Sequence, residues 1–404
     1  MKKYPIDKNL FYMPGIVNEI VEMTERNAPH PNLPISFIGA VSLLANVMGA
    51  RYRSEENIQA NMYNVVIANS GTGKDAPRQT NKMIGHELKK GDNPAKIEII
   101  ENVASFEGIE SIFSQNRNDL LLQIDEIDNL LTCLGDRRNT VFVNLMKNLL
   151  TAYTSSNSVM YMRVNKQNVD CKPFLFPNIN IFGSCTPQSL YDAMQESMIE
   201  RGLISRCLFI PSFDRSKFTM PKRIINFSTI DKIKAICNRP YAADYSELQL
   251  IPYTDDARQK AVELNATIDE MYSNCQDNTK MILYSRIYEK VVKMAMVYAV
   301  SVNHENPVID SEIFTHCTEL IIQSVNWMSA DIEGNLFNNQ TEKRIKRLYE
   351  RLEFFGDNIF TKKEIYSHFK TNKNELTVLL DNLLDMQKIE KISSAKGEYF
   401  KLIK

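Results

Sequence analysis

Short apolar runs alternate with amphipathic stretches over the first half of the chain. Short runs bounded by turn residues are typical of buried β-strands, whereas apolar residues three and four apart indicate helices. Strands are predicted at 62–68, 96–100, 119–124, 177–183 and 207–211, and helices at 15–26, 36–49, 79–89, 106–115, 141–153 and 190–200. This alternation predicts an α/β core with a mostly parallel sheet.

The pattern changes beyond about residue 213, where long amphipathic stretches predict helices at 255–274, 285–302 and 311–330. The polar segment Gly334–Gln340 predicts a linker, and the last 64 residues predict three helices and then two short strands, the order of a winged helix. We therefore expect a helical segment (1–60), an α/β core (61–215), a helical lid region (216–335) and a winged helix (341–404).

The strand at 62–68 leads into a Gly-rich segment that resembles the phosphate-binding loop G-x-x-x-x-G-K-[ST]. Ala68 stands in place of the first Gly, and Asp75 in place of the Ser or Thr that holds Mg²⁺. Backbone N–H groups in such a loop bind phosphates, and the Lys reaches the β- and γ-phosphates. The predicted nucleotide-binding residues are Ser70, Gly71, Thr72, Gly73, Lys74 and Asp75.

Two readings of this loop stay open at this point. The segment is either a true phosphate site or a Gly-rich turn that binds nothing. In a true site, Asp75 either ligates Mg²⁺ directly or leaves the metal to water and other carboxylates.

The strand at 119–124 delivers two carboxylates, Asp125 and Glu126, at its carboxyl end. Ligands of open α/β sheets bind outside that end. Asp125 is therefore expected to hold Mg²⁺, and Glu126 to polarise the water that attacks the γ-phosphate of ATP. The alternative is a solvated acidic turn, but the phosphate loop fifty residues upstream favours a nucleoside triphosphatase.

Three further residues are candidates for the same site. Thr186, after a predicted strand, is expected to orient the attacking water or to cap the next helix. Arg206, just before a strand, is expected to stabilise γ-phosphate charge in its own site or a neighbour's, or to form a surface ion pair. Arg286 lies three residues before Glu289, which is also the spacing of an ordinary helical salt bridge.

Composition restricts the partners and the cellular compartment that we expect for this protein. The 404 residues are 44% hydrophobic and 24% charged with a net charge of −1, so any attraction to nucleic acid must be local. Seven scattered cysteines without a C-x-x-C pair argue against structural zinc and disulfides. No apolar signal core or membrane-length run is visible, and we expect a cytoplasmic protein with no membrane partner.

In this order, the motifs resemble AAA+ ATPases of the helicase type. The segments at 36–49, 68–75, 119–126, 182–187 and 202–206 resemble the helicase-like domain of primase-helicase proteins from phages, plasmids and integrated elements. Ile204-Ser205-Arg206-Cys207 resembles the arginine-finger context of minichromosome-maintenance-like helicases. Arg286 followed by Glu289 is similar to the start of their sensor-2 helix.

The resemblance covers roughly residues 30–330 and implies an ATP-dependent DNA helicase of a phage or mobile element. It implies ATP and Mg²⁺, a homo-hexamer, single-stranded or forked DNA as partner, and a separate primase or initiator protein. The chain departs from the pattern at Ala68 and Asp75, and at Ser184 to Thr186, where an Asn is expected.

Three basic residues are expected to contact DNA. Arg163 and Lys166 lie on a predicted hairpin between strands at 159–164 and 169–174, and Lys166 matches the lysine at the tip of a family hairpin. Lys373 begins a candidate recognition helix at 372–384. The alternatives are a solvated hairpin and a protein-binding winged helix.

Two other functions compete with the helicase. One is an initiator or helicase-loader switch that binds origin DNA without processive unwinding. The other is a nucleotide-binding structural module with little hydrolysis.

Overall fold

The computed structural model describes residues 6–91, 94–95, 97–115, 119–136, 138–161, 173–194, 196–354, 360–369, 372–394 and 397–403. The chain forms two compact units, Met1–Ser329 and Ala330–Lys404. The strands are β1 (Tyr52–Arg53), β2 (Tyr63–Ile67), β3 (Glu98–Ile100), β4 (Asp119–Asp125), β5 (Val159–Met160), β6 (Phe174–Leu175), β7 (Asn178–Cys185), β8 (Cys207–Pro211), β9 (Gln249–Leu250), β10 (Phe360–Thr361), β11 (Ile389–Ser394) and β12 (Gly397–Leu402).

The α-helices follow the expected alternation through the first unit. They are α1 (Ile16–Asn27), α2 (Leu33–Met48), α3 (Asp75–Leu88), α4 (Phe106–Phe113), α5 (Ile127–Gly135), α6 (Thr140–Ser155), α7 (Pro187–Ala193), α8 (Glu196–Glu200), α9 (Leu203–Arg206), α10 (Phe227–Cys237), α11 (Asp255–Ser273), α12 (Asn278–Tyr284), α13 (Ile287–Val302), α14 (Ser311–Phe354), α15 (Lys362–His368) and α16 (Lys373–Asp385).

A five-stranded parallel sheet forms the centre of the first unit, in the order β3-β4-β7-β2-β8. Four of its strands, β2, β4, β7 and β8, are almost wholly buried, which explains why short apolar runs marked them in the sequence, and the edge strand β3 is half-buried. All carboxyl ends face one edge of the sheet. The predicted α/β core with a parallel sheet is confirmed.

Helix α2 is packed inside this unit, where nearly every residue from Ile35 onward is buried. Among the described residues, Leu33–Arg51 is the one helical stretch long and apolar enough to cross a membrane, and 89% of its apolar window is buried inside the protein. Helix α2 is therefore a central core helix of this unit, as its small apolar residues predict.

A buried ion pair joins the end of α2 to the start of β4. Arg51 Nη1 lies 2.7 Å from Asp119 Oδ2, and both side chains are 2% exposed. Gly49, at φ +42°, leaves the room for this pair, since a β-carbon there would lie 1.9 Å from Asp119 Oδ1. The contact ties the helical segment before residue 60 to the sheet.

Several sequence-based boundaries were wrong. Helix α3 begins at Asp75, four residues before the predicted start, and the helix predicted at 190–200 is divided between α7 and α8. The described parts of the predicted hairpin are the two-residue strands β5 and β6, which pair antiparallel. The predicted linker Gly334–Gln340 lies inside the 44-residue helix α14.

The second unit contains the end of α14, then β10, α15, α16, β11 and β12, with the strands in the antiparallel order β10-β12-β11. It has its own apolar core, to which α14 contributes Ile345, Leu348 and Leu352. The predicted order of three helices and two strands is present, with the short strand β10 added.

Candidate nucleotide site

The phosphate loop lies at the carboxyl end of β2 and leads directly into helix α3. Gly71 and Gly73 have φ of +75° and +90°, a backbone region that favours glycine. Thr72 is buried, and its hydroxyl donates to the carbonyl of Asn69 at 2.7 Å, which fixes the curl of the loop. Lys74 is the N-cap of α3, which begins at Asp75, so the loop has the strand–loop–helix form that binds phosphates.

The segment before α2 packs against this loop. A β-carbon on Gly73 would lie 2.3 Å from the carbonyl oxygen of His30, so only glycine fits there. Arg215 Nη2 donates to His30 Nε2 at 2.9 Å, and a β-carbon on Gly71 would lie 3.5 Å from Arg215 Nη1. Sequence reasoning missed both His30 and Arg215, since neither belongs to the loop motif.

Asp125 is brought to the same edge by β4. Asp125 pairs in register with Ser184 of β7, and the Ser184 hydroxyl donates to Asp125 Oδ1 at 2.9 Å. β7 lies between β4 and the loop strand β2, so Ser184 stands between the two halves of the site. Ser184, which the sequence analysis noted only as a departure from the family's Asn, is thus the polar residue of β7 that contacts Asp125.

Arg78, on the first turns of α3, connects the phosphate loop to Asp125. Arg78 Nη2 donates to Asp75 and, at 3.1 Å, to Asp125 Oδ2, while Nη1 lies 3.7 Å from Glu101. Its side chain is only 14% exposed. Sequence reasoning missed this residue because its partners Asp125 and Glu101 lie on other strand ends.

Magnesium does not fit the carboxylates of Asp75 and Asp125 as they lie here. Both already share the Arg78 guanidinium, so direct ligation would require Arg78 to leave. Over the part of the chain that the structure describes, no group of three or more His, Cys, Asp or Glu side chains could hold a metal ion. Asp75 and Asp125, the two predicted magnesium ligands, lie close together, but both pair with the Arg78 guanidinium.

Glu126 has a left-handed backbone, with φ 50° and ψ 52°, immediately before α5. Such a conformation is strained for a residue other than glycine and concentrates at functional sites. The Glu126 carboxylate is exposed and accepts from Asn129 Nδ2 at 3.2 Å. The turn therefore leaves an accessible carboxylate immediately after the carboxyl end of β4.

Thr186 is the N-cap of α7. Its hydroxyl contacts Ser189 Oγ at 2.8 Å and accepts from the Ser189 N–H, which forms a capping box. This is the helix-capping alternative weighed for Thr186, and it engages the hydroxyl that would otherwise orient water.

Arg206 and Arg286 lie at the opposite edge of the sheet. Arg206 precedes Cys207, which pairs with Tyr63 at the start of β2, whereas the phosphate loop follows the end of β2. The five residues of β2 span roughly 16 Å. Neither arginine therefore reaches the phosphate loop of its own chain in this arrangement.

These two arginines belong to a group of charges at the amino ends of β2 and β8. Arg286 Nη1 lies 2.8 Å from Glu289 Oε2, and Lys293 Nζ lies 3.0 Å from Glu289 Oε1. Lys293 also donates to Asn61 at 2.7 Å, and Lys290 donates to the Cys207 carbonyl at 2.7 Å. We call Arg206, Arg286, Glu289, Lys290 and Lys293 the basic cluster.

Burial and neighbouring charges shift the pKa values of the groups in the basic cluster. Burial lowers the pKa of Lys290 and of Lys293 to about 8. Burial, and next the Arg286 guanidinium, lower the pKa of Arg206. Burial alone would raise the pKa of Glu289, but Lys293 and Arg286 outweigh it and bring that pKa below its usual range. The basic cluster thus contains four basic groups and a single carboxylate, Glu289. An added anion would reduce the repulsion among the four positive charges.

The predicted DNA contacts receive no structural description. Arg163 and Lys166 lie outside the described residues, and of Lys373 the structure gives only its position as the first residue of α16.

No protein-family model matches this chain, and neither does any curated protein sequence. Among solved structures, the chain is similar to a full-length MCM homolog from Methanopyrus kandleri, with a TM-score of 0.38 and 10% sequence identity. The match covers 77% of this chain and 61% of that protein, so the chain spans about three fifths of its length.

Proposed function

We propose that this chain is a nucleoside triphosphatase that binds ATP at residues 68–75. The observation that carries the proposal is the meeting of the loop with Asp125 at one edge of the sheet, linked by Arg78 and by Ser184. Lys74 and the loop N–H groups would hold the phosphates. Glu126 would accept a proton from the attacking water.

Substitution of Lys74 by Ala tests this site. We expect loss of ATP binding, measured with a fluorescent ATP analogue, because the side chain that reaches the phosphates is removed. Lys82→Ala is the matched control, since Lys82 lies on the same helix but pairs with Glu101. Equal binding by wild type and Lys74→Ala would refute the site.

Glu126→Gln separates binding from hydrolysis. We expect ATP affinity close to that of wild type and turnover lower by about a hundredfold or more, since a general base contributes on that order. Normal turnover in this variant would exclude Glu126 as the base.

The finer proposal is a AAA+ ATPase that works as a homo-hexameric DNA helicase for a phage or mobile element. The position of Arg206 and Arg286 supports it, because arginines too far from their own loop can complete the site of a neighbouring copy. We propose that residues 216–335 serve as the lid and that residues 341–404 form a winged helix, whose helix α16 would meet DNA through Lys373.

The remaining parts of this proposal concern partners. Arg163 and Lys166 would contact single-stranded or forked DNA, and a separate primase or initiator would act with the ring in the cytoplasm. Unwinding of a forked DNA, driven by ATP, is the decisive assay. ATP turnover that DNA does not stimulate would contradict the helicase.

The second candidate is an initiator or loader switch, in which ATP drives assembly without processive unwinding. The Asp75–Arg78 pair favours it, since a carboxylate in place of the metal-binding hydroxyl suits slow turnover. ATP-dependent assembly on duplex DNA, without strand separation, would select this function.

A further inference from the structure

Asp75 places a negative charge where a phosphate loop usually has a neutral hydroxyl. Asp125 and Glu101 lie around the same guanidinium, so three carboxylates surround the start of α3. A nucleotide triphosphate is itself an anion, and like charges at this range repel. A loop with these acidic neighbours needs a positive charge in addition to Lys74 to accept phosphates.

Arg78 is placed to supply that charge. It contacts all three carboxylates, and its side chain is 14% exposed while Asp75 is 70% exposed. Its planar guanidinium binds two carboxylates at once, which a lysine ammonium does less well. Lys82, one turn further along α3, pairs only with Glu101 among these carboxylates.

This arrangement disagrees with the magnesium site that the motif implies. Arg78 lies between the carboxylates that would otherwise bind the metal. Two cationic groups cannot share that position, because each would repel the other. The site therefore already contains a cation supplied by the chain.

We propose that Arg78 is a positioning residue that takes over the charge-balancing part of Mg²⁺ at this loop, so that nucleotide triphosphate binds without a divalent metal. The inference rests on the proposed function, since it concerns the same phosphate loop. Asp75 and Arg78 are then a matched pair, since the Arg78 guanidinium offsets the charge that Asp75 adds beside the phosphates.

The test measures the affinity of a fluorescent ATP analogue in EDTA and in excess Mg²⁺. Wild type is expected to bind with affinities that differ less than about threefold between the two conditions. Arg78→Gln should lose at least about tenfold in EDTA, since the cation that offsets these carboxylates is removed. Mg²⁺ should restore much of that loss, because the carboxylates are then free for a metal.

A double variant provides the internal check. Asp75→Thr combined with Arg78→Gln should bind more tightly in EDTA than Arg78→Gln alone, because it removes the carboxylate that Arg78 balances. Arg78→Lys should keep intermediate affinity in EDTA. Lys82→Gln is the matched control and should bind like wild type in both conditions.

Different outcomes overturn the inference and the proposed function. If wild type does not bind the analogue, or if Lys74→Ala binds it equally well, the nucleotide site itself is refuted. If wild type binds only with Mg²⁺, or if Arg78→Gln equals wild type in EDTA, the role of Arg78 is refuted while the site stands. Thermal unfolding of each variant establishes that a loss of binding is not a loss of fold.

Discussion

At the scale of single residues, the Arg51–Asp119 pair is a buried ionic contact outside the nucleotide site. Both side chains are 2% exposed, and Arg51 also donates to the backbone carbonyls of Val47, Cys237 and Arg239. Such a pair adds little over an apolar replacement, yet the loss of one partner leaves a buried charge without its counter-charge.

Asp119→Asn should therefore lower the free energy of unfolding by about 3–5 kcal/mol, measured by urea denaturation. The double variant Arg51→Met/Asp119→Leu removes both charges and should recover most of the loss. A single variant within about 1 kcal/mol of wild type would contradict a buried ionic pair.

Residue contacts also explain what the sequence could reveal of the site. The motif pointed to Lys74, Asp125 and Glu126, because strand ends in a parallel sheet meet at one edge. Arg78 left no such signal, since its partner Asp125 is 47 residues away in the chain. The sequence also could not tell which of Ser184 and Thr186 contacts Asp125 and which caps a helix. That choice depends on the register of β7.

At the scale of elements, the strands of the central sheet were predicted well because burial requires continuous apolar runs, whereas the two-residue strands β1, β9 and β10 were missed. Helix α10 was missed because prolines bracket its region, and α14 was predicted to end before Gly334–Gln340. That polar segment has no apolar periodicity from which a helix could be read. The segment is helical as part of the 44-residue helix α14, and the sequence shows no apolar stripe that would have predicted it.

Helix α13 carries a prediction of pH dependence. The folded pKa of Lys290 is about 8, below its ordinary value of 10.5, so the unfolded chain binds more protons between these values. Stability from this group therefore rises as the pH increases from 8 to 10.5, by at most about 1.4 kcal/mol per pH unit.

Lys290→Met removes this dependence and leaves in place the cysteines and tyrosines, which also titrate at alkaline pH. Urea denaturation at several pH values should show wild type gaining stability relative to the variant over that range. A constant difference between the two proteins would mean that Lys290 stays protonated inside the fold.

Helix α14 carries the next prediction, because it provides part of the core of the second unit. A fragment of residues 330–404 should fold alone, as judged by a cooperative thermal transition in circular dichroism. A fragment of residues 355–404 lacks Ile345, Leu348 and Leu352 and should not. Cooperative unfolding of the shorter fragment would show that α14 is dispensable for that core.

At the scale of the whole molecule, the two edges of the central sheet have opposite roles in the proposed assembly. The phosphate loop lies at the carboxyl edge and the basic cluster at the amino edge. If the proposed assembly is right, the two groups belong to one site that only two copies can complete, and activity should require a second copy.

Mixing two inactive variants tests this requirement. Lys74→Ala has an intact basic cluster, and Arg206→Ala has an intact phosphate loop, so a mixed ring should contain some complete sites. We expect ATP turnover in the mixture to exceed that of either variant alone, in an assay over several mixing ratios. Additive turnover at every ratio would place Arg206 outside any shared site.

The close approach of Gly73 to the His30 carbonyl has a practical consequence for where this protein can be shortened. The stretch before α2 serves as a template on which the phosphate loop is shaped, although it lies more than forty positions earlier in the chain. A fragment beginning at residue 61, which the motif boundaries alone would recommend, would lose that template together with the central helix α2. A shortened protein that keeps the shape of this loop should therefore start upstream of His30.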